Sequence, residues 1–197
     1  MVVNHALFFS DLALRRHGVS ILPDYDVAVL DAAHTIESVA ADHLGLSFTS
    51  GQVEYVLSRL YNDRTNKGLL VHHNLKQLCQ RAAQCRYSAS EFFADVWEWK
   101  SQTAPANGRV SAPLDIENKL SPALMELARG VKLAGDAIKQ ESERQDLISA
   151  HDRLVGLAGE LNAWHGQQLL GAVYWIESCC NRRGTPRMTL AASPVDV

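Results

Sequence analysis

The sequence predicts a mainly α fold, with a long helical middle carried between strand-forming ends of an incomplete α/β lobe. Two observations carry this expectation. Leu124, Leu127, Val131, Ala134 and Ile138 step by threes and fours, as do Leu147, His151, Leu154, Ala158, Leu161 and His165. Such stripes belong to helices packed along their length. The two ends, M-V-V-N-H and M-T-L-A-A-S-P-V-D-V, are apolar and strand-like instead. Ends of that texture are expected of a piece cut from a larger protein.

Taken in order, Val2 and Val3 read as the tail of a strand, and A-L-F-F-S-D-L-A-L-R-R at 6–16 reads as a helix closed by His17 and Gly18. After the turn at Pro23 and Asp24, Val27, Val29 and Leu30 predict a short strand, buried on both faces if central in a parallel sheet. Helices are expected over 51–62, 70–84 and 88–101, the last behind a Ser88 or Ser90 cap. Thr103–Pro113 is a loop by composition. Between the two stripes, the polar stretch Gln140–Gln145 is either a bend or an exposed part of one long helix. Ala172–Ile176 and Met188–Ala192 predict a hairpin or two edge strands beside the first lobe.

The composition is that of an ordinary globular chain: 197 residues, 47% hydrophobic, 21% charged, net charge −3. That charge gives no global footprint for nucleic acid, although binding needs only a local basic face. No run approaches the ~18 apolar residues of a membrane span, and the N-terminus lacks a signal-peptide pattern. Cys79 and Cys85 are too widely spaced for a close ligand pair, and Cys179 and Cys180 diverge on any regular backbone. Reduced thiols and a cytoplasmic location are the expectation.

The chemistry, if any, should gather at D-Y-D-V-A-V-L-D-A-A-H-T-I, residues 24–36. Asp31 ends an apolar run, where open α/β sheets place their chemistry, and its carboxylate is a candidate magnesium ligand. Alternatively Asp31 only caps the helix beginning near Ala32. His34 either couples a nucleotide pocket to a neighbouring lobe or is an ordinary partly buried histidine. Asn4 and His5 are placed on the same rim. No G-x-x-x-x-G-K-S/T loop is present to cradle phosphates.

Several blocks together carry a resemblance: N-H-A-L-F-F-S-D-L at 4–12, D-Y-D-V-A-V-L-D-A-A-H-T-I-E at 24–37, Y-W-I-E-S at 174–178 and L-A-A-S-P-V-D-V at 190–197. In order and surroundings they resemble the DinG branch of the XPD/DinG superfamily 2 DNA helicases. The resemblance implies an ATP- and Mg2+-dependent 5′-to-3′ DNA helicase, with an Arch domain inserted after the Walker B box and a passage for single-stranded DNA. It divides the chain into a partial RecA-like motor lobe (1–44), an Arch-like insertion (45–170) and return strands toward the motor lobe (171–197). Asp31 would match the magnesium-associated aspartate of the usual Asp-Glu-Ala-His box, with Ala33 and His34 its closing pair. Ala32 falls where the catalytic glutamate belongs, and alanine has no side-chain acceptor to orient a water.

The family's iron–sulfur cysteines precede the Walker B box, whereas all four cysteines here follow Asp31, so no cluster is expected. The isolated chain is expected to bind no cofactor and to be inactive in hydrolysis, with the remaining motor-lobe segments as its partners. Candidate DNA contacts are Arg59, Arg64, Lys67, Lys76, Arg182, Arg183 and Arg187, with Arg81 and Arg86 between the two groups. Tyr61, Phe92, Trp97 and Trp99 are either stacking platforms or core, and the helix bearing Phe92, Phe93 and Val96 favours core. Two other readings stay open: a stand-alone nucleic-acid-binding or regulatory module, and a small hydrolase built around Asp31, His34 and His5.

Overall fold

The leucine stripes become two helices packed against each other, and most of the molecule is arranged around them. The computed structural model describes residues 1–15, 19–180 and 186–195. Helix α1 is His5–Arg15 and α2 is Ala33–Leu44. Strand β1, Leu46–Thr49, leads into α3, Ser50–Leu60; α4 is the single turn Leu69–His72 and α5 runs Lys76–Gln102. After β2, Arg109–Val110, come α6, Leu120–Asp136, and α7, Glu141–His165. Strands β3, Ala172–Cys180, and β4, Pro186–Pro194, close the chain. The fold is mainly α with one small open sheet.

Helix α5 corrects the expectation of two helices over 70–84 and 88–101. Its buried residues Leu78, Ala82, Cys85, Ala89, Phe92 and Val96 form one uninterrupted stripe through the presumed break. Burial of that stripe outweighs the capping preference of Ser88 and Ser90, which lie mid-helix. The polar stretch at 140–145 is resolved differently. The chain bends over 137–140, and Glu141 and Glu143 open α7, where acids complement the helix dipole. Helix α3 starts with a full capping box: Gln52 N–H donates to Thr49 Oγ1 at 3.0 Å and Thr49 N–H to Gln52 Oε1 at 2.8 Å.

The sheet order is β1-β4-β3-β2, with all neighbours antiparallel. Of the two readings for the last region the hairpin is the one formed, and its outer partners are β1 and β2. Tyr174, Ile176, Met188, Leu190 and Ala192 turn inward and share one core with Leu57, Leu124, Leu161 and Trp164. Phe9, Ala40 and Leu44 form a second, smaller cluster where α1 packs on α2.

The strand expected at Val27–Leu30 does not form. Those residues are irregular, and Val29 is 93% exposed. A strand buried on both faces needs paired neighbours, and among the described residues every strand of the sheet lies elsewhere. Val2 and Val3 are likewise irregular.

Candidate functional site

The sequence-expected site gathers where α1 and α2 begin. Asn4 caps α1, its Oδ1 accepting from Leu7 N–H at 2.8 Å, so this side chain is committed to the helix terminus. His5, on the first turn, faces two groups of the other segment. Its Nε2 lies 3.5 Å from Asp31 Oδ1 and its Nδ1 3.3 Å from Thr35 Oγ1. The Asp31 carboxylate is 99% exposed. Ala32 has φ +45°, a left-handed turn, and its carbonyl accepts from Thr35 N–H at 2.9 Å to start α2. Thus Asn4, His5, Asp31 and Ala32 come together, while His34 is exposed on the first turn of α2.

The approach to Asp31 is held by a device that sequence reading missed. Asp11 is fully buried and accepts from Ile21 N–H at 2.6 Å, Leu22 N–H at 2.8 Å and Arg15 Nε at 2.6 Å. Arg15 also donates to Asp24 Oδ1 at 3.1 Å and to the Leu22 and Pro23 carbonyls, with its guanidinium 5.1 Å from the Tyr25 ring centroid. The i,i+4 spacing of Asp11 and Arg15 was a legible signal; their grip on residues 21–25 was not.

Burial pushes the Asp11 carboxyl upward, but the bonds from Leu22, Arg15 and Ile21 outweigh it and hold it below the ordinary 3.8. A depressed carboxyl stabilises the fold above its unfolded value and loses that contribution as pH falls through the folded one. The Ile21 and Leu22 amide resonances should therefore titrate together with a midpoint below 3.8. Asp11→Asn should raise their exchange at neutral pH by about tenfold or more, the scale of a lost bond to a charged acceptor. Unchanged exchange in that variant would refute the clamp.

As a nucleotide or magnesium site these residues are insufficient. Asp31 offers one exposed carboxylate, and among the described residues no group of three or more His, Cys, Asp or Glu is placed to hold a metal. A single exposed carboxylate does not by itself fit ATP with magnesium. Burial pushes the Cys85 thiol up to about 12, which leaves it an inert core group.

The basic candidates separate by environment. Arg64 and Arg187 line an open groove of about 950 Å³ between α3, α5 and β4, together with Phe93 and Trp97. Trp97 is 41% exposed there, whereas Phe92 is core. Arg86 reaches the same groove but is tied down by Glu54 at 3.3 Å, Asp63 at 3.7 Å and the Tyr61 carbonyl at 2.9 Å. Arg81 pairs with Glu126 at 3.8 Å. Lys67 bridges to Asn62 through its backbone, and Lys76 lines a separate cavity beside α4. Arg59 lines another, between α3 and α7. Arg182 and Arg183 lie outside the described residues.

The described geometry thus comprises one exposed aspartate ahead of α2 and an open groove that carries Arg64 and Arg187. No family model matches the chain. Over 199 aligned residues, covering 100% of the chain, it is 27% identical to ATP-dependent DNA helicase YoaA of Escherichia coli K12. A stretch of 54 residues, 27% of the chain, is 39% identical to ATP-dependent DNA helicase YoaA of Haemophilus influenzae. The chain spans 29% of the first protein and the match covers 8% of the second. This distant homology links the chain to the helicase superfamily in general terms. Among the described residues no helix is long and apolar enough to cross a membrane.

Proposed function

We propose that this chain is the part of a DinG-type, ATP-dependent 5′-to-3′ DNA helicase that runs from the Walker B box through an Arch-like insertion. In this reading 1–44 belongs to a motor lobe, 45–170 is the insertion and 171–197 returns toward the lobe. The observation that carries it is similarity to one helicase along the whole chain. Asp31, Ala32 and His34 then stand at the Walker B box, with Asn4 and His5 on its rim. ATP and magnesium are handled only with the remaining motor-lobe segments, and the chain alone hydrolyses nothing. Its contribution to single-stranded DNA is a weak phosphate contact along the groove that holds Arg64, Arg187 and the exposed face of Trp97.

A second reading, a self-contained nucleic-acid-binding module, is favoured by one feature. The hairpin of β3 and β4 packs with β1, β2 and the long helices in a single core.

Fluorescence anisotropy of labelled single-stranded DNA across a salt series tests the DNA contact, with ATP turnover assayed alongside. Binding should weaken with salt, log affinity falling by about 0.7 per tenfold salt increase for each phosphate engaged. No turnover should be seen. Magnesium-dependent turnover abolished by Asp31→Asn would overturn the proposed inactivity, and salt-insensitive binding would overturn the phosphate contact.

A further inference from the structure

Two arginines that enter no ion pair among the described residues line one cavity. Arg59 of α3 donates to the Tyr55 hydroxyl at 3.3 Å, and its guanidinium carbon lies 5.9 Å from that ring's centroid. The charge of Arg153 of α7 also acts on that hydroxyl. Both arginines line a cavity of about 410 Å³ between α3, α4 and α7, with His72, Ser149 and one acid, Asp146. Among the described residues neither arginine enters an ion pair, unlike Arg81, Arg86 and Arg144. Tyr55 itself is 55% exposed and lines the Arg64–Arg187 groove, so it stands on the ridge between groove and cavity.

Two guanidinium groups lining one cavity repel each other, and both side chains are exposed to solvent. An incoming oxyanion relieves the repulsion and accepts from both planar forks, the arrangement guanidinium groups favour with phosphate. Helix α3 presents Ser58, Tyr55 and Glu54 to the groove and Arg59 to the cavity, so one ligand strand crossing the ridge would meet both. The hydrogen bond from Arg59, then its charge and more weakly that of Arg153, hold the Tyr55 hydroxyl below its usual range.

We propose that Arg59 and Arg153 form a phosphate site, with Tyr55 as the residue that positions Arg59. The ligand is a phosphodiester of single-stranded nucleic acid or a free phosphate species. As a strand contact the site extends the DNA reading above and rests on it; as an anion site it stands separately.

The test uses the full chain, Arg59→Gln/Arg153→Gln, Arg64→Gln/Arg187→Gln and Tyr55→Phe, each checked for an unchanged circular-dichroism spectrum. Each is titrated with single-stranded DNA over a salt series and, by NMR of the arginine Nε–H resonances, with inorganic phosphate. If the strand occupies the site, Arg59→Gln/Arg153→Gln weakens DNA binding roughly tenfold, as for lost charged hydrogen bonds. Its salt slope falls by about 0.7, one phosphate contact. Tyr55→Phe then weakens binding less and leaves the slope unchanged, because no charge is removed. DNA binding by the parent that the Arg59/Arg153 variant matches in affinity and slope overturns the strand assignment. If the parent binds no DNA, the DNA reading fails, yet phosphate shifts confined to Arg59 and Arg153 still support the anion site. Absence of those shifts together with absence of a DNA effect overturns the site entirely.

Discussion

Trp164→Ala should cost about 3–5 kcal/mol of folding stability, the range for truncating a buried tryptophan. Trp164 lies on the last turns of α7, 2% exposed, where that helix meets the sheet. Its ring meets Tyr174 of β3 edge-on at 6.3 Å, and its indole N–H donates to the Ala191 carbonyl of β4 at 2.9 Å. One side chain therefore joins the helical stripe to both strands of the hairpin. Truncation opens a large cavity and leaves a buried strand carbonyl without its donor. Both penalties fall at the junction, so little relaxation is open to them.

Urea denaturation measures the effect as a lower midpoint at constant m. Typical domains hold only about 5–15 kcal/mol, so the alanine variant could unfold outright. Trp164→Phe keeps that case readable: it retains most of the volume, loses the hydrogen bond, and should cost about 1–3 kcal/mol. Trp97→Ala, on the exposed face of α5, should change stability by about 0.5 kcal/mol or less. A Trp164→Ala variant as stable as Trp97→Ala would mean that α7 and the hairpin do not share a core.

The parts legible in the sequence are those whose signal is local and repeated. Leu124, Leu127 and Val131, with Leu147, Leu154 and Leu161, announce α6 and α7 because each stripe repeats over several turns. The two last strands are legible from their apolar runs, but only the β3–β4 ladder decides between a hairpin and separate edges. Helix α5 was misread because Ser88 and Ser90 carry a cap preference that only burial of Ala82, Cys85 and Ala89 overrides. Strands β1 and β2 are too short for alternation to show, and each exists only because β4 or β3 supplies its ladder.

The opposite error at Val27–Leu30 has the same cause: an apolar run has strand propensity, but a strand requires a neighbour. At the candidate site, the sequence places Asn4 and His5 on a rim at the end of an opening strand, whereas His5 stands on the first turn of α1, 3.5 Å from Asp31. The Asp11 clamp was not anticipated, since its amide partners carry no sequence signal. Likewise Tyr55 and Arg59 are readable as an i,i+4 pair, whereas Arg153 joins them only through the packing of α7 beside α3.

Gly108→Ala should destabilise by about 2–4 kcal/mol, combining left-handed strain with a lost backbone bond. Gly108 has φ +70°, and a Cβ built there would lie 2.3 Å from the Ile176 carbonyl oxygen. That oxygen belongs to the backbone of β3 and has no rotamer by which to withdraw. The turn must therefore move, breaking the 2.9 Å bond from Ile176 N–H to the Gly108 carbonyl. Strand β2 is only Arg109–Val110, paired with Trp175 and Tyr174, so it has little else to hold it. Its displacement would also uncover Val110 and Leu114, both buried. Gly156 of α7 supplies the control: a Cβ there meets nothing within 4 Å, so Gly156→Ala should gain about 0.5–1 kcal/mol of helix propensity. Urea midpoints should thus move in opposite directions for the same one-carbon addition. If Gly108→Ala were instead neutral or stabilising, β2 could not run against β3 as described, and the sheet would end at the hairpin.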